Sequence, residues 1–191
     1  EGSSFDNDMI VYMSGVTGKR RTEGGHRSAP IGIGMGLGLN LALSKGELKL
    51  NSPDYRDQPY LDYNLLDEVE DLRRYRDGIR MLVALERHPS FAVLIENRVD
   101  PSNQDLESDD TLDSWIKRYV ETGHHVSCTA KMGPDSDPMA VVDQYGLVHG
   151  VDRLRVADAS IMPDCVRANI NVTVMAIGER IADFMTQNRS T

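Results

Sequence analysis

Residues 31–44, IGIGMGLGLNLALS, alternate large apolar side chains with smaller residues without a break. A period of two puts Ile31, Ile33, Met35, Leu37, Leu39 and Leu41 on one face, which fits an extended strand. Glycines on the other face would let a neighbour approach the backbone closely. The run also decides against a tempting alternative. A dinucleotide-binding turn asks for G-x-G-x-x-G between a strand and a helix. With Gly32, Gly34 or Gly36 taken as the first glycine, the third falls on Leu37, Leu39 or Leu41. The expectation is a long strand over 31–43 and no phosphate loop.

The flanking sequence reads as an α+β chain. A strand is expected over 9–14 and an exposed loop over 16–29. After a turn at Ser44-Lys45-Gly46, a strand over 47–51 closes a hairpin with 31–43. Pro53 and Pro59 break up 52–59. A helix over 67–86 carries Leu72, Tyr75, Ile79, Leu82 and Leu85 as one stripe, with acids crowding its first turn. Residues 100–110 read as a polar, acidic loop. A short helix over 111–120 places Leu112, Trp115, Ile116 and Tyr119 on one side, as core rather than as a substrate cage. The last helix starts near Val172, with Val174, Ile177, Ile181, Phe184 and Met185 on one face and Asn171 at the N-cap position.

Composition narrows the function classes. A chain of 191 residues can bury one good core or two small ones. A net charge of −9 argues against nucleic acid, which wants a basic face. The one basic run, Lys19-Arg20-Arg21, reads as a solvated loop. Cys128 and Cys165 are too few for a disulfide framework. No apolar run reaches transmembrane length and no signal peptide opens the chain, so a soluble, cytoplasmic protein is expected. The chain starts at Glu1 rather than at Met, as a processed piece or one subunit of something larger would.

Residues 123–185 hold the chemistry. An isolated imidazole pair, His124 and His125, is followed by Cys128, a turn-rich connector, a strand, and two asparagines that open the final helix. Four readings compete at the imidazoles. Adjacent residues in a strand face opposite ways and there is no C-x-x-C, so a metal site is not expected. Cys128 as a nucleophile would need a base, which His125 could supply. A structural histidine is the plain reading. A general base is the fourth, since an imidazole titrates near neutrality. At the final helix, N–H groups without intrahelical partners could meet an anion, as against simply capping a surface helix.

The wording of this stretch resembles the C-terminal signature of the glucose–methanol–choline flavin oxidoreductases, and within them the choline oxidase and choline dehydrogenase branch. In the motif similar to HHVSCTAKMGP, the family histidine stands seven residues before the methionine, which is His125 counted from Met132. His124 falls where the family more often has an aromatic or another residue. After the motif similar to ADASIMP, the second active-site position is Asn169, and its setting in NINVTVMAIGER is the choline-branch feature. Asp158 and Ala159 match the segment along the FAD pyrophosphate, and Asn171 and Val172 the segment facing the flavin ring. Arg155 lies in the strand leading there, with no role assigned.

The resemblance implies oxidation of an alcohol CH–OH group. His125 would take the hydroxyl proton or hold the alkoxide, Asn169 would donate to the same oxygen, and a hydride would pass to flavin N5. It implies an antiparallel-sheet substrate-binding (cap) region over 1–146, with flanking helices. Residues 147–191 would give the last strand and helix of an FAD-binding α/β domain, whose N-terminal part is absent from these residues. An N-terminal FAD-binding fragment or subunit is the expected partner, and the chain would be active only with it. The alternatives are a lyase on the same scaffold and a non-catalytic fragment. Choline as substrate is not supported by a chain whose one tryptophan is Trp115 and whose aromatic content is 6%.

Overall fold

A computed structural model describes residues 6–15 and 32–187. The loop expected over 16–29, its Lys19-Arg20-Arg21 triplet and Ile31 lie outside the described residues. The chain forms two compact units, each built from two separate stretches: Glu1–Lys45 with Leu65–Glu121, and Gly46–Asn64 with Thr122–Thr191.

In the first unit, β1 (Met9–Ser14) pairs antiparallel with β2 (Gly34–Leu39), Met9 opposite Leu39 and Ser14 opposite Gly34. Helix α1 (Val69–Glu86) follows, then the short α2 (Pro89–Ala92) and α3 (Asp109–Tyr119). Leu72 and Ile79 of α1 meet Leu112 and Ile116 of α3, and Leu37, Leu66 and Trp115 pack around them. Gly78 admits the sheet to α1: a Cβ there would run into the Leu37 side chain and come within 2.8 Å of Met9 Sδ. Helix α3 starts with a reciprocal cap. The Ser108 side chain accepts from Thr111 N, and the Thr111 hydroxyl accepts from Ser108 N. Arg76 clamps Asp113 with bonds of 2.9 and 2.8 Å, joining α1 to α3. Trp115 stacks at a tilt on Tyr119 and donates its indole N–H to Asp100 at 2.6 Å.

The strand expected over 31–43 is shorter, and it does not close a hairpin with 47–51. The apolar alternation runs on past Leu39, but the backbone leaves the sheet because polar groups capture it. Leu41 adopts a positive φ of 51°. Arg74, fully buried, donates to the carbonyls of Asn40 (2.8 Å) and Leu41 (3.0 Å) and to Asp8 Oδ2 (2.8 Å). Asp71 accepts from Leu43 N (3.0 Å), Ser44 N (2.8 Å) and Ser44 Oγ (2.7 Å). The carbonyls of Asn40 and Leu41 and the amides of Leu43 and Ser44 are thus spent on α1 rather than on a strand partner.

In the second unit, β3 (Glu47–Lys49) pairs with β4 (Tyr60–Asp62), a strand that period-two reading misses because it is three residues long. From Thr122 onward the unit is mostly turns tied by single bridges: Met132 with Val142, Val142 with Val148, and Leu147 with Arg155. The last strand expected before the final helix is reduced to that bridge at Arg155. Tight turns use the backbone on either side: Gly146 has a φ of 74°, Arg153 one of 61°, and Val151 N bonds Val148 O at 3.2 Å. A Cβ at Gly146 would lie 2.7 Å from Val156 O. Helix α4 (Asn171–Thr186) buries Ile181 and Phe184 against Val142 and Ile161. The Phe184 ring meets Tyr145 edge-on at 4.9 Å. Helices with small antiparallel sheets make the chain α+β, as expected.

Candidate functional site

Every residue singled out for chemistry lies in the second unit. The segment after the imidazole pair is laced onto a short 3₁₀ turn, Ala159–Ile161. Cys128 N donates to Ala159 O at 3.2 Å, Ala130 N to Ser160 O at 2.9 Å, and Met132 N to Ile161 O at 2.8 Å. The two motifs, separated by some thirty residues of turns, therefore run side by side. Ile161 is buried beneath them.

Asp158 caps that turn. Its Oδ1 accepts from Ser160 N at 2.8 Å and from Ser160 Oγ at 2.6 Å. The carboxylate thereby fixes the direction of the Asp158–Ala159 backbone, a job that no motif spacing reveals. His125 is exposed, as is His124, whose backbone has a positive φ of 60° and whose N–H donates to Thr122 Oγ1 at 3.1 Å. The stretch is not an extended strand, so the opposite-faces argument does not govern the two rings. Among the described residues, no three His, Cys, Asp or Glu side chains gather as a metal site would need.

Asn169 is exposed and stands two residues before α4. The helix begins one residue earlier than expected. Asn171 is its first residue rather than its N-cap; the cap position is Ile170, which already has helical torsions and supplies no side-chain acceptor. An apolar residue there leaves the first-turn N–H groups without the usual side-chain partner. Asn171 is exposed, and Val172 is 72% exposed.

Between these stretches lies a contact the sequence did not announce. Cys128 Sγ and Cys165 Sγ are 3.9 Å apart, and Ser127 Oγ is 2.9 Å from Cys165 Sγ. His125 is three residues before one cysteine and Asn169 four after the other, so this contact draws both segments together. Nothing in a spacing of 37 residues marks the two thiols as neighbours. Arg155 gains a role: its Nη1 donates to Tyr145 O at 2.5 Å and so braces the turn over Asp143. That turn is itself held by Asp143 Oδ1, which accepts from Tyr145 N at 2.8 Å and Leu147 N at 2.9 Å.

Residues 42–178 match the family model of GMC oxidoreductase. The oxygen-dependent choline dehydrogenase of Burkholderia pseudomallei (strain K96243) is 41% identical over 146 residues, which are 76% of this chain and 25% of that protein. Pyridoxine 4-oxidase from Mesorbium loti superposes with a TM-score of 0.77 at 28% identity, covering 87% of this chain and 32% of that one. A variant of Aspergillus oryzae RIB40 formate oxidase, solved for the effect of its mutation on FAD modification, gives 0.75 at 30% identity, covering 86% and 29%. The chain spans about a quarter of the length of the curated relatives it matches.

Proposed function

The chain belongs to the GMC oxidoreductase family, and from that membership we propose that it is the C-terminal part of an enzyme that oxidises an alcohol CH–OH group to the carbonyl. The family and its flavoprotein neighbours point to FAD as the cofactor. Residues 1–146 would serve substrate binding and 147–191 the FAD-binding domain, completed by an N-terminal FAD-binding polypeptide or segment.

One observation carries the reading. Three backbone hydrogen bonds hold 128–132 against 159–161, which sets the His125 segment beside the Asp158–Ala159 turn. The residues present fit the cofactor. Helix α4 opens on the exposed Asn171 and Val172 with no side-chain cap, an N–H-rich and partly apolar end suited to a planar ring with negative charge at one edge. Asp158 spends its carboxylate on Ser160, so the backbone of Asp158 and Ala159, rather than a free charge, would lie along the pyrophosphate.

When bound, FAD supplies a hydride acceptor for the carbinol carbon. The chain's own residues handle the proton and the charge. A ring nitrogen of His125 accepts the hydroxyl proton, or holds the alkoxide by a charge-assisted bond. The side-chain N–H of Asn169 donates to the same oxygen. The N-terminus of α4 offsets negative charge gathered beside it. A placed base contributes roughly 10²–10⁴-fold to such a step, and one aimed donor about 10²–10³-fold.

The test is anaerobic stopped-flow of the whole flavoprotein with a panel of primary, aryl and sugar alcohols. His125→Ala should keep its FAD and slow flavin reduction by roughly 10²–10⁴-fold. Reduction within a few-fold of wild type would overturn the role of His125. A flavin reduced by no alcohol in the panel would overturn the function.

A further inference from the structure

We propose that Cys128 and Cys165 are a reversible dithiol–disulfide couple, oxidised by low-molecular-weight disulfides. Both are free thiols, one half-buried and one exposed, with sulfurs 3.9 Å apart. The pair is built rather than accidental in three respects. Cys128 is pinned through its N–H to Ala159 O at 3.2 Å. Cys165 sits in an irregular stretch between the 3₁₀ turn and α4, where the sulfurs can close to the bond length of about 2.05 Å. Ser127 Oγ lies 2.9 Å from Cys165 Sγ, and Cys128 Sγ donates to it at 3.3 Å. The hydroxyl can thus hydrogen-bond whichever sulfur is anionic.

The exposure sets the order of events. Burial, with the neighbouring Cys165 sulfur adding to it, holds the Cys128 thiol above its ordinary range against the pull of the Ser127 hydroxyl. Cys165, open to solvent, is the attacking group. Its thiolate displaces one thiolate from a disulfide RSSR, giving a mixed disulfide on Cys165. Cys128 then gives up its proton and attacks Cys165 Sγ, expelling the second thiolate. Two protein thiols and one RSSR become one protein disulfide and two RSH. The couple does not depend on the flavin chemistry, since both sulfurs and the hydroxyl belong to this chain.

The test uses the native full-length protein and oxidised glutathione, followed by blocking with N-ethylmaleimide, tryptic digestion and mass spectrometry. Residues 119–131 hold Cys128 and residues 156–167 hold Cys165. The expected product is these two peptides joined, with a mass loss of two hydrogens that dithiothreitol reverses. Cys128→Ser should stop at the glutathione adduct on Cys165. If the wild-type protein also stops at that adduct, or if both cysteines are recovered with maleimide, the couple does not exist. The wild-type peptide map decides this without any variant.

Discussion

Arg74 is fully buried, yet its guanidinium reaches two carboxylates and two carbonyls. Burying a charge is tolerable only when it is paired and fully hydrogen-bonded, and removing one partner strands the rest. Arg74→Ala would take from Asp71 and Asp8 the buried guanidinium that bonds both, and the expected loss is about 3–5 kcal/mol in urea unfolding. A midpoint unchanged from wild type would mean the network is solvated. At Asn169 the same concern applies to chemistry. In the proposed mechanism Asn169→Asp would put a carboxylate beside a developing alkoxide, and like charges held close cost free energy. Flavin reduction should therefore be slower in Asn169→Asp than in Asn169→Ala, by anaerobic stopped-flow. An aspartate variant as fast as wild type would show that this side chain does not face the reacting oxygen.

At the scale of elements, local rules often compete. A glycine inside a helix normally costs roughly 1 kcal/mol against alanine, so Gly78→Ala ought to stabilise α1. Here the added Cβ would meet the ends of the Leu37 and Met9 side chains, both flexible and only partly buried, which must shift to admit it. The expected outcome is a gain in urea midpoint smaller than the full propensity difference, and a gain equal to that difference would show that the sheet does not press on this face. The loop before α3 offers a titration test. Asp105 accepts from Ser102 Oγ at 2.6 Å and Ser102 N at 2.8 Å, which holds its carboxyl below the ordinary range. A depressed carboxyl stabilises the fold above the unfolded-state value, about 3.9, and that contribution fades as pH falls through the folded-state value. The stability gap between wild type and Asp105→Asn should shrink over that descent, and a gap constant with pH would refute the linkage.

The same competition explains what could be read in advance. Helices α1, α3 and α4 were legible within one or two residues, because Leu72, Ile79, Ile116, Ile181 and Phe184 recur at helical spacing and end up buried. The family membership was legible from the motifs around Met132 and Pro163. The end of β2 was not, since it is set by Asp71 and Arg74 from a helix some thirty residues away. The N-cap of α4 was misplaced by one residue, because Asn171 has capping chemistry while Ile170 has the position. Three-residue strands carry too little alternation to see. The Cys128–Cys165 contact depends on lacing between turns, which no periodicity encodes.

At the scale of the whole molecule, the chain should be unable to hold its cofactor unaided. Refolded alone, residues 1–191 are expected to lose FAD on gel filtration. Added to a polypeptide with a G-x-G-x-x-G strand–helix turn, they should retain it. FAD retention and alcohol oxidation by these residues alone would refute the proposed division of labour. No helix among the described residues is long and apolar enough to cross a membrane.

The alternation of the two units along the chain has a consequence during biosynthesis. The ribosome delivers Gly46–Asn64 to the second unit before Leu65–Glu121 completes the first. The β3–β4 pair then exists before the rest of its own unit has been made, and a lone two-stranded hairpin is marginal in water. At a typical elongation rate the wait until Phe184 emerges is on the order of ten seconds. During that interval the nascent chain carries Leu48, Leu50 and Leu61, which stay exposed even in the finished fold, on an unfinished hairpin that interrupts in sequence a unit that can already close.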